Sequence, residues 1–470
     1  MSRNASIDPS LLSLRLQAGG PVGAQALADS LGVSRVTVQR AMQQLGSSLV
    51  QLGKTRATRY ALRRGVLGQA GPHRFSRLSQ TGIAHEWGAL SALHGGWCLE
   101  WASPALRPEW ADQVHDHAGF CDGLPFFLAD LRPQGFLGRA TARRLPGTLG
   151  LPLDPRDWSD DQTLFYLREW GDDLPGNLTL GDGPTARALN ACPSDPITPE
   201  TREARYPELA AQANAGGPFG SSVGGEQPKF TAWLRLPDEN AASSILVKYT
   251  DKLDTPSGRR WADLLAAEAI ALDVLMSVTS ASSGEAEAKH PKIFDFGNRR
   301  FYELARFDRV GSHGRRGVVS LRALHDAGFT GGDTHDWAVA AAGLRERGWI
   351  GESDLRAVRL RRLFGRLIGN TDMHFGNLAF FLEPELPLRL APTYDMLPML
   401  WAPRPGDATP APEFTPLAPM PAELELWPEA ATLAERFWSL VEADARVSDG
   451  FRPHASTALR AVRALRLRFG

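Results

Sequence analysis

The feature that most constrains this chain is a short block in its last third that contains three spaced polar residues. It places a carboxylate at Asp372, an amide at Asn377 and a second carboxylate at Asp395. Phosphoryl transfer from a magnesium nucleotide needs this set in this order, because one Asp orients the attacking hydroxyl while an Asn and another Asp hold the metal. The D-x-x-x-x-N spacing matches kinase catalytic loops, although Asn-Thr stands where His-Arg usually precedes the Asp. Alone the spacing is a weak signal, since polar residues after a helix often only cap and turn the chain.

The segments upstream offer the other parts of a nucleotide-phosphate site. Residues 216–229 contain five glycines and two serines and end at Lys229. Such a loop lets backbone N–H groups approach phosphates without obstruction by a Cβ, although a flexible linker would have the same pattern. A predicted hairpin follows, and its second strand ends at Lys248, whose ammonium needs an anionic partner if it is buried. Glu268, in an apolar predicted helix, is the candidate partner; Asp263 and a solvated Glu are the alternatives.

A third block, residues 299–309, is predicted to be a strand with a polar tip. It lies between the lysine strand and the D-x-x-x-x-N step, where a two-lobed kinase has the hinge that meets adenine. The order of glycine loop, lysine strand, glutamate helix, hinge strand, catalytic Asp and metal Asp is hard to explain by chance. The sequence therefore predicts a kinase-type catalytic domain that uses ATP and Mg²⁺.

These blocks resemble a known family. Four of them are similar to signature blocks of HipA-family Ser/Thr kinases, the toxins of persistence-type toxin–antitoxin modules: S-S-V-G-G-E-Q-P-K-F (221–230), Y-E-L-A-R-F-D-R (302–309), I-G-N-T-D-M-H-F-G-N-L (368–378) and P-T-Y-D-M-L-P (392–398). Two segments further upstream, 124–139 and 161–178, also resemble that family. With a DNA-binding domain in front, the plan resembles the HipA-like branch called YjjJ or HipH.

The resemblance implies roles for individual residues. Asp372 would be the catalytic Asp, and Asn377 and Asp395 would bind Mg²⁺. The residues that would surround ATP come from the loop, strand, helix and hinge: Lys229, Lys248, Glu268, Glu303, Ala305, Phe307, Asp308 and His374. Ser222 would occupy the position of the serine that family members autophosphorylate, which ejects the loop and switches the kinase off. A serine in a glycine-rich loop is equally common for solubility alone.

The first 64 residues are predicted to be a separate unit. Helical segments at 11–20, 24–31 and 35–46, with Ser34 as an N-cap, have helix-turn-helix spacing, and 49–64 alternates like the wing of a winged helix. The candidate DNA contacts lie on the third helix and the wing: Arg35, Thr37, Gln39, Arg40, Lys54, Arg56 and Arg59. Residues 1–64 carry a net charge of +7 in a chain of net charge −1. A basic domain attached to an acidic remainder of the chain is the charge distribution expected of a DNA-binding protein. The alternative is that this domain is a protein–protein adaptor.

Chain-wide properties agree with this partition. A length of 470 residues predicts two or three domains. The three cysteines are far apart, without C-x-x-C, and indicate buried thiols in a reducing cytoplasm. There is no signal peptide and no apolar run of about 18 residues. We therefore expect a cytoplasmic protein, nucleoid-associated when it binds DNA, without a membrane partner.

The predicted fold class is α+β, with an N-terminal winged helix followed by a two-lobed protein-kinase-like (HipA) fold whose C-lobe is mainly helical. The expected domains are a winged helix-turn-helix at 1–64, a HipA N-terminal subdomain at 65–215, a kinase N-lobe with glycine-rich loop and hinge at 216–310, and a helical C-lobe at 311–470. Residues 65–76 are expected to be a linker, 183–220 a boundary segment, and the proline-rich 401–421 a loop.

The expected function is that of an ATP- and Mg²⁺-dependent Ser/Thr protein kinase of the HipA toxin type that phosphorylates a protein hydroxyl and itself. By family analogy the target would be a translation component such as an aminoacyl-tRNA synthetase. Two alternatives stay open: a nucleotide-sensing transcriptional regulator with an inactive kinase fold, and a small-molecule kinase. The family suggests an antitoxin partner, and a homodimer is expected because winged-helix regulators often pair on DNA.

Overall fold

The structure is a computed structural model, and it describes residues 7–54, 57–144, 150–214, 227–277, 289–403 and 412–469. Its N-terminal part is a winged helix, as predicted. The elements are α1 (Pro9–Gly19), β1 (Val22–Gly23), α2 (Ala24–Leu31), α3 (Arg35–Gln44), β2 (Leu49–Leu52) and β3 (Arg59–Leu62). The three strands form an antiparallel sheet in the order β1-β3-β2.

Local chemistry explains where the third helix of this unit begins. The Ser34 side chain accepts the backbone N–H of Thr37 at 3.2 Å, as an N-cap does. Behind the helix, the apolar residues that recur at helical spacing, among them Leu12, Leu16 and Val38, are buried in one small core. The capped helix therefore presents its polar face outward.

The middle segment is an antiparallel sheet with helices packed around it. Its elements are β4 (His73–Leu78), β5 (Ala84–Leu93), β6 (Gly96–Trp101), β7 (Phe120–Cys121), α4 (Phe126–Ala129), α5 (Gly135–Arg144), α6 (Asp160–Trp170), β8 (Leu178–Leu180), α7 (Asp182–Leu189) and α8 (Arg202–Asn214). The strand order is β7-β6-β5-β4-β8. The tryptophans Trp87, Trp97 and Trp110 are buried in the core of this segment.

One expectation about a connecting segment was wrong. Residues 65–76 are not a free linker, because Val66 is buried and β4 already begins at His73. Burial against the body outweighs the local preference of the composition there. The boundary segment 183–220 contains most of α7 and all of α8.

His73 gives the middle segment a pH-dependent stability. It is 2% exposed, and Arg168 Nη1 donates to its Nδ1 at 2.8 Å, which requires that nitrogen to be unprotonated. Burial lowers the pKa of His73 to about 4, and Arg168 adds to the effect while Asp161 opposes it. Because the folded pKa lies below the ordinary value, this contribution to stability is present above about pH 6.5 and is lost as the pH falls to about 4.

We expect the loss to reach about 3 kcal/mol of the free energy of unfolding once the pH is below the folded pKa. Chemical denaturation at several pH values between 7.5 and 4 measures it. The His73→Gln variant has no such titration, so its stability should fall less over this range. Equal pH dependence in the two proteins would contradict the assignment.

The next segment forms a four-stranded antiparallel sheet and one long helix. The elements are β9 (Lys229–Leu234), β10 (Ser243–Tyr249), α9 (Pro256–Met276), β11 (Lys292–Phe296) and β12 (Arg299–Ala305). The strand order is β11-β12-β10-β9, and β9–β10 is the predicted hairpin. The helix starts at Pro256, with Thr255 capping the N–H of Gly258 at 3.0 Å. It packs against β12 and β11, so its centre lies beneath the sheet.

The last segment is mainly helical. Its elements are β13 (Arg309–Val310), β14 (Gly314–Arg315), β15 (Val318–Ser320), α10 (Leu321–Asp326), α11 (Trp337–Glu346), α12 (Glu352–Leu367), β16 (Ala379–Phe381), β17 (Arg389–Leu390), α13 (Trp427–Ala443) and α14 (Arg452–Phe469). A small sheet, β15-β16-β17, holds the loop between α12 and β16. The described residues of 401–421 form no α-helix, as predicted. The α+β class is confirmed, and no helix among the described residues is long and apolar enough to cross a membrane.

Candidate active site

A buried ion pair joins the sheet to the long helix. Lys248, near the end of β10, and Glu268, in the middle of α9, are 3% and 0% exposed. The Lys248 Nζ lies 2.5 Å from Glu268 Oε1 and 2.7 Å from Oε2. The alternative partner Asp263 is engaged elsewhere, since it accepts the backbone N–H and the hydroxyl of Ser448. The predicted Lys–Glu pair is therefore present.

Asp395 completes this cluster from a distant part of the sequence. Its Oδ1 lies 2.5 Å from Lys248 Nζ, and its backbone N–H donates to Glu268 Oε1 at 3.2 Å. The Asp395 backbone has a φ of +53°, which non-glycine residues rarely adopt and which the surrounding contacts must hold in place. Lys248 is thus shared by two carboxylates.

The charges of this cluster stabilise one another. Burial alone would lower the pKa of Lys248, but the Asp395 and Glu268 carboxylates outweigh burial and raise that pKa. Burial likewise acts to raise the pKa of Asp395, and Lys248 and Lys229 outweigh it and lower that pKa. Lys229 stands opposite Lys248 in the β9–β10 ladder and is 1% exposed. Lys248 and Asp395 are therefore firmly charged at neutral pH, whereas burial raises the pKa of Glu268.

Hydrogen bonds from two side-chain amides hold the loop before β16. Asn377 Nδ2 donates to the backbone oxygen of Asp372 at 2.9 Å, and the Asp372 N–H donates to Asn370 Oδ1 at 3.0 Å. Asn370 Nδ2 reaches the backbone oxygen of Asp395 at 3.4 Å. Asn370 thus connects the predicted catalytic Asp to the predicted metal Asp. Sequence reasoning gave Asn370 no role, although an Asn two residues before an Asp is a common turn signal.

The oxygen atoms at this site fit a magnesium ion. The Nδ2 of Asn377 faces a carbonyl, which leaves its Oδ1 as the ligand atom, and Asp395 contributes a carboxylate; both are the hard oxygen ligands that Mg²⁺ prefers. Among the described residues, no group of three or more His, Cys, Asp or Glu side chains could hold a metal alone. Magnesium would therefore need phosphate oxygens and water as further ligands, which is its usual mode of binding.

Two cavities lie where the sequence predicted a nucleotide. The larger, called here the main cleft, has a volume of about 1420 Å³ and is lined by Lys229, Asp372, His374, Asn377 and Asp395 together with residues 121–135 of the middle segment. A smaller cavity of about 200 Å³ lies beside the end of β12. It is lined by Ala305 and Phe307, the predicted adenine contacts, and by other residues of the hinge and α9.

Glu303 does not join this site, contrary to the expectation. Residues alternate between the two faces of a strand, so Glu303 points away from the face that carries Lys248 and its neighbour Tyr302. Its buried carboxylate receives Arg202 Nε at 2.8 Å and Nη2 at 2.9 Å, and the Tyr206 hydroxyl. Glu303 instead connects β12 to α8.

Asp308 also differs from its expected place near ribose and phosphates. Its carboxylate is buried and accepts Arg306 Nη2 at 2.9 Å, Arg309 Nη1 at 2.6 Å and the Gly176 N–H at 2.8 Å. Burial would raise the pKa of Asp308, but the two arginines outweigh it and lower that pKa strongly. These donors saturate the carboxylate, which therefore connects the hinge to the middle segment. The predicted autophosphorylation site Ser222 lies outside the described residues.

The predicted DNA-contacting residues separate into two groups. Arg35, Gln39 and Arg40 are exposed on α3, as is Lys54 on the wing, while Thr37 is half-buried. Arg59 instead pairs with Asp116 of the middle segment, and its guanidinium lies 5.0 Å from the centre of the Phe120 ring. The expectation for Arg59 is thereby corrected, because an arginine held by a carboxylate and a ring is not free for phosphate. Arg56 lies outside the described residues.

Comparison with known proteins identifies relatives of each segment. Residues 10–58 match the model of an HTH domain, residues 70–189 that of the YjjJ-like toxin middle domain, and residues 221–447 that of the HipA-like C-terminal domain. The toxin YjjJ of Escherichia coli (strain K12) is 36% identical over 448 residues, which cover 94% of each chain.

Two solved structures were also found to be similar to this chain. A chain of the Shewanella oneidensis MR-1 toxin–antitoxin complex of HipA, HipB and operator DNA is 16% identical, with a TM-score of 0.48 over 84% of this chain and 97% of that one. The Helicobacter pylori proinflammatory kinase CtkA is 12% identical, with a TM-score of 0.35 over 51% of this chain and 89% of that one.

Proposed function

The chain belongs to the YjjJ-like toxin family, and from that premise we propose that it is an ATP- and Mg²⁺-dependent Ser/Thr protein kinase. One observation carries this proposal. Lys248, Glu268 and Asp395, from three distant parts of the sequence, form one buried cluster beside the loop that bears Asp372 and Asn377. This is the set of charges that phosphoryl transfer requires, and the sharing of Lys248 by two carboxylates supports that role.

The reaction follows from these positions. The acceptor hydroxyl oxygen attacks the γ-phosphorus of ATP, the bond from that phosphorus to the β,γ-bridging oxygen breaks, and ADP leaves. Asp372 orients the hydroxyl and receives its proton, and the proton passes on to solvent. Lys248, held by Glu268, and Lys229 provide positive charge for the phosphates. Bound between Asn377, Asp395 and the phosphates, Mg²⁺ would neutralise the charge that develops on the phosphate oxygens.

The size of the main cleft favours a macromolecular acceptor. Sites for small ligands usually enclose about 300–1,000 Å³, whereas the main cleft has about 1420 Å³ and opens between the middle segment and the helical segment. This supports a protein substrate over the small-molecule alternative.

The test is transfer of γ-phosphate from ATP to proteins of a phosphatase-treated bacterial lysate, with the modified residues identified by mass spectrometry. We expect phosphoserine and phosphothreonine that depend on added Mg²⁺ and on intact Asp372. If ATP binds but no protein or small molecule gains phosphate, the proposal fails and the nucleotide-sensing regulator replaces it.

We also infer that the winged helix binds DNA through the exposed residues of α3 and the wing. Arg35→Ala and Arg40→Ala should each weaken binding to all DNA sequences and reduce the slope of log K against log salt by about 1, because each removes one phosphate contact. Titrations of a DNA duplex at several salt concentrations measure this slope. Arg59→Ala is the matched control, since Arg59 is already held by Asp116, and its slope should stay unchanged. An equal effect of Arg59→Ala would contradict the assignment.

Finer points remain predictions. Autophosphorylation at Ser222, a translation component as substrate and an antitoxin partner follow from the family resemblance, and a homodimer follows from the winged helix. Native mass spectrometry with and without operator DNA tests the last of these.

A further inference from the structure

Besides the main cleft, a second cavity borders Asp372. It has a volume of about 510 Å³ and is lined by Arg322, His335 and residues 370–375. Neither Lys229 nor Asp395 lines it, although both line the main cleft. Asp372 therefore stands between the two cavities. Since the nucleotide phosphates belong beside Lys229 and Asp395, the acceptor hydroxyl would come to Asp372 from the second cavity, which we call the acceptor cavity.

Three of the eight residues that line the acceptor cavity have side chains that favour anions. Arg322 is exposed, and among the described residues it has no hydrogen-bond or ion-pair partner. His335 and His374, both exposed, add imidazoles. Asp372 is the one carboxylate among the lining residues. Asp326, the one carboxylate on the helix of Arg322, lines the main cleft, which Arg322 lines as well.

Hydrogen bonds fix the start of the helix that carries Arg322. Its helix, α10, is capped by Ser320, whose hydroxyl accepts the Ala323 N–H at 3.1 Å. The half-buried carboxylate of Asp130 in turn receives the backbone N–H and the hydroxyl of Ser320, at 2.8 and 2.5 Å. The Leu321 N–H donates to Leu378, next to Asn377, at 2.8 Å. The backbone that carries Arg322 is thus fixed relative to the catalytic loop.

We propose that Arg322 selects polypeptide acceptors with an acidic residue close to the phosphorylated Ser or Thr. This inference rests on the proposed kinase function and defines its substrate class. A guanidinium binds a carboxylate through two parallel N–H donors, whereas a lysine or arginine in the substrate would be repelled. Because Arg322 and Asp372 line the same cavity, the acidic residue would lie within a few positions of the acceptor hydroxyl.

The test uses serine peptides that differ only by Asp, Ala or Lys at each position flanking the serine, with γ-phosphate incorporation as the readout. Wild type should have a KM about tenfold lower for its best Asp peptide than for the matching Lys peptide. Arg322→Glu should remove this preference and raise the KM for the Asp peptide about tenfold, with the KM for ATP unchanged. Arg322→Lys should keep part of the preference. Arg460→Glu is the matched control on α14, where the Arg460 guanidinium donates to the hydroxyls of Ser456 and Thr457 at the surface.

The other possible results of these experiments would each contradict a specific claim. Phosphorylation without an acidic preference, or an equal preference in Arg322→Glu, overturns the role of Arg322 and leaves the kinase in place. A parallel rise in the KM for ATP would show that Arg322→Glu only disturbs the loop. If lysate proteins but no peptides are modified, the modified sites are aligned, and a lack of nearby Asp or Glu overturns the inference. If nothing is modified, the proposed function fails and this inference fails with it.

Discussion

Asp372→Asn should lower the rate of phosphate transfer to protein by about 10²–10⁴-fold, the usual contribution of a positioned general base. The amide has nearly the shape of the carboxylate, and the contacts that hold the loop use the backbone of Asp372. The fold and the affinity for ATP should therefore change little. Steady-state incorporation of γ-phosphate, with calorimetry for ATP binding, separates the two effects.

The matched control for this substitution is Asp449→Asn. The Asp449 side chain is 95% exposed and pairs with Arg452, three residues away, far along the sequence from the catalytic loop. Its variant should transfer phosphate at the wild-type rate. Activity that survives Asp372→Asn would remove Asp372 from the mechanism, and a loss of ATP binding would show that the change acts on the nucleotide site instead.

Lys248→Met should destabilise the protein by about 3–5 kcal/mol and abolish ATP binding. Removal of one partner of a buried ion pair leaves an uncompensated charge, which is the costly case. Without Lys248, the fully buried Glu268 and the adjacent Asp395 lose the cation that they share. Lys229 is then the remaining lysine of the cluster. Chemical denaturation, followed by the tryptophan fluorescence of the folded body, measures the change in stability.

A double substitution distinguishes charge from packing. Lys248→Met with Glu268→Leu should recover part of the lost stability, because apolar replacement of a buried pair is often neutral, but it should recover no activity. Lys289→Met is the surface control; Lys289 is 60% exposed and its variant should lose less than about 1 kcal/mol. If the double variant is less stable than Lys248→Met, the ion-pair explanation is wrong.

Much of the local structure could be predicted from the sequence. The Ser34 cap, the β9–β10 hairpin and the long apolar helix α9 depend on neighbouring residues, and each lies close to its expected place. The Lys248–Glu268 pair could also be anticipated, because a lysine in an apolar strand and a glutamate in an apolar helix both need a partner. The predicted ends of segments were less accurate: residues 65–76 were expected to be a linker, but β4 begins within them at His73.

Three side chains were misplaced for a common reason. Glu303, Asp308 and Arg59 each have the charge that their expected role needs, but each is held by oppositely charged groups, which are distant in the sequence for Glu303 and Arg59 and adjacent in the sequence for Asp308. Those partners are Arg202, Arg306 with Arg309, and Asp116. A motif defines the residue type and its spacing, whereas the direction of the side chain depends on strand alternation and on which cations or carboxylates fold against it.

The sequence by itself determined the order of the elements, the α+β class and the identity of the polar residues around the predicted nucleotide site, because these depend on periodicity, caps and motif spacing. Only the tertiary structure decided that Asp395 shares Lys248 with Glu268 and that Asn370 connects Asp395 to Asp372. It also decided that Arg322 lines a cavity with the predicted catalytic Asp. These contacts join residues from separate elements, and the packing of the sheet, α9 and α10 against the helical segment brings them together.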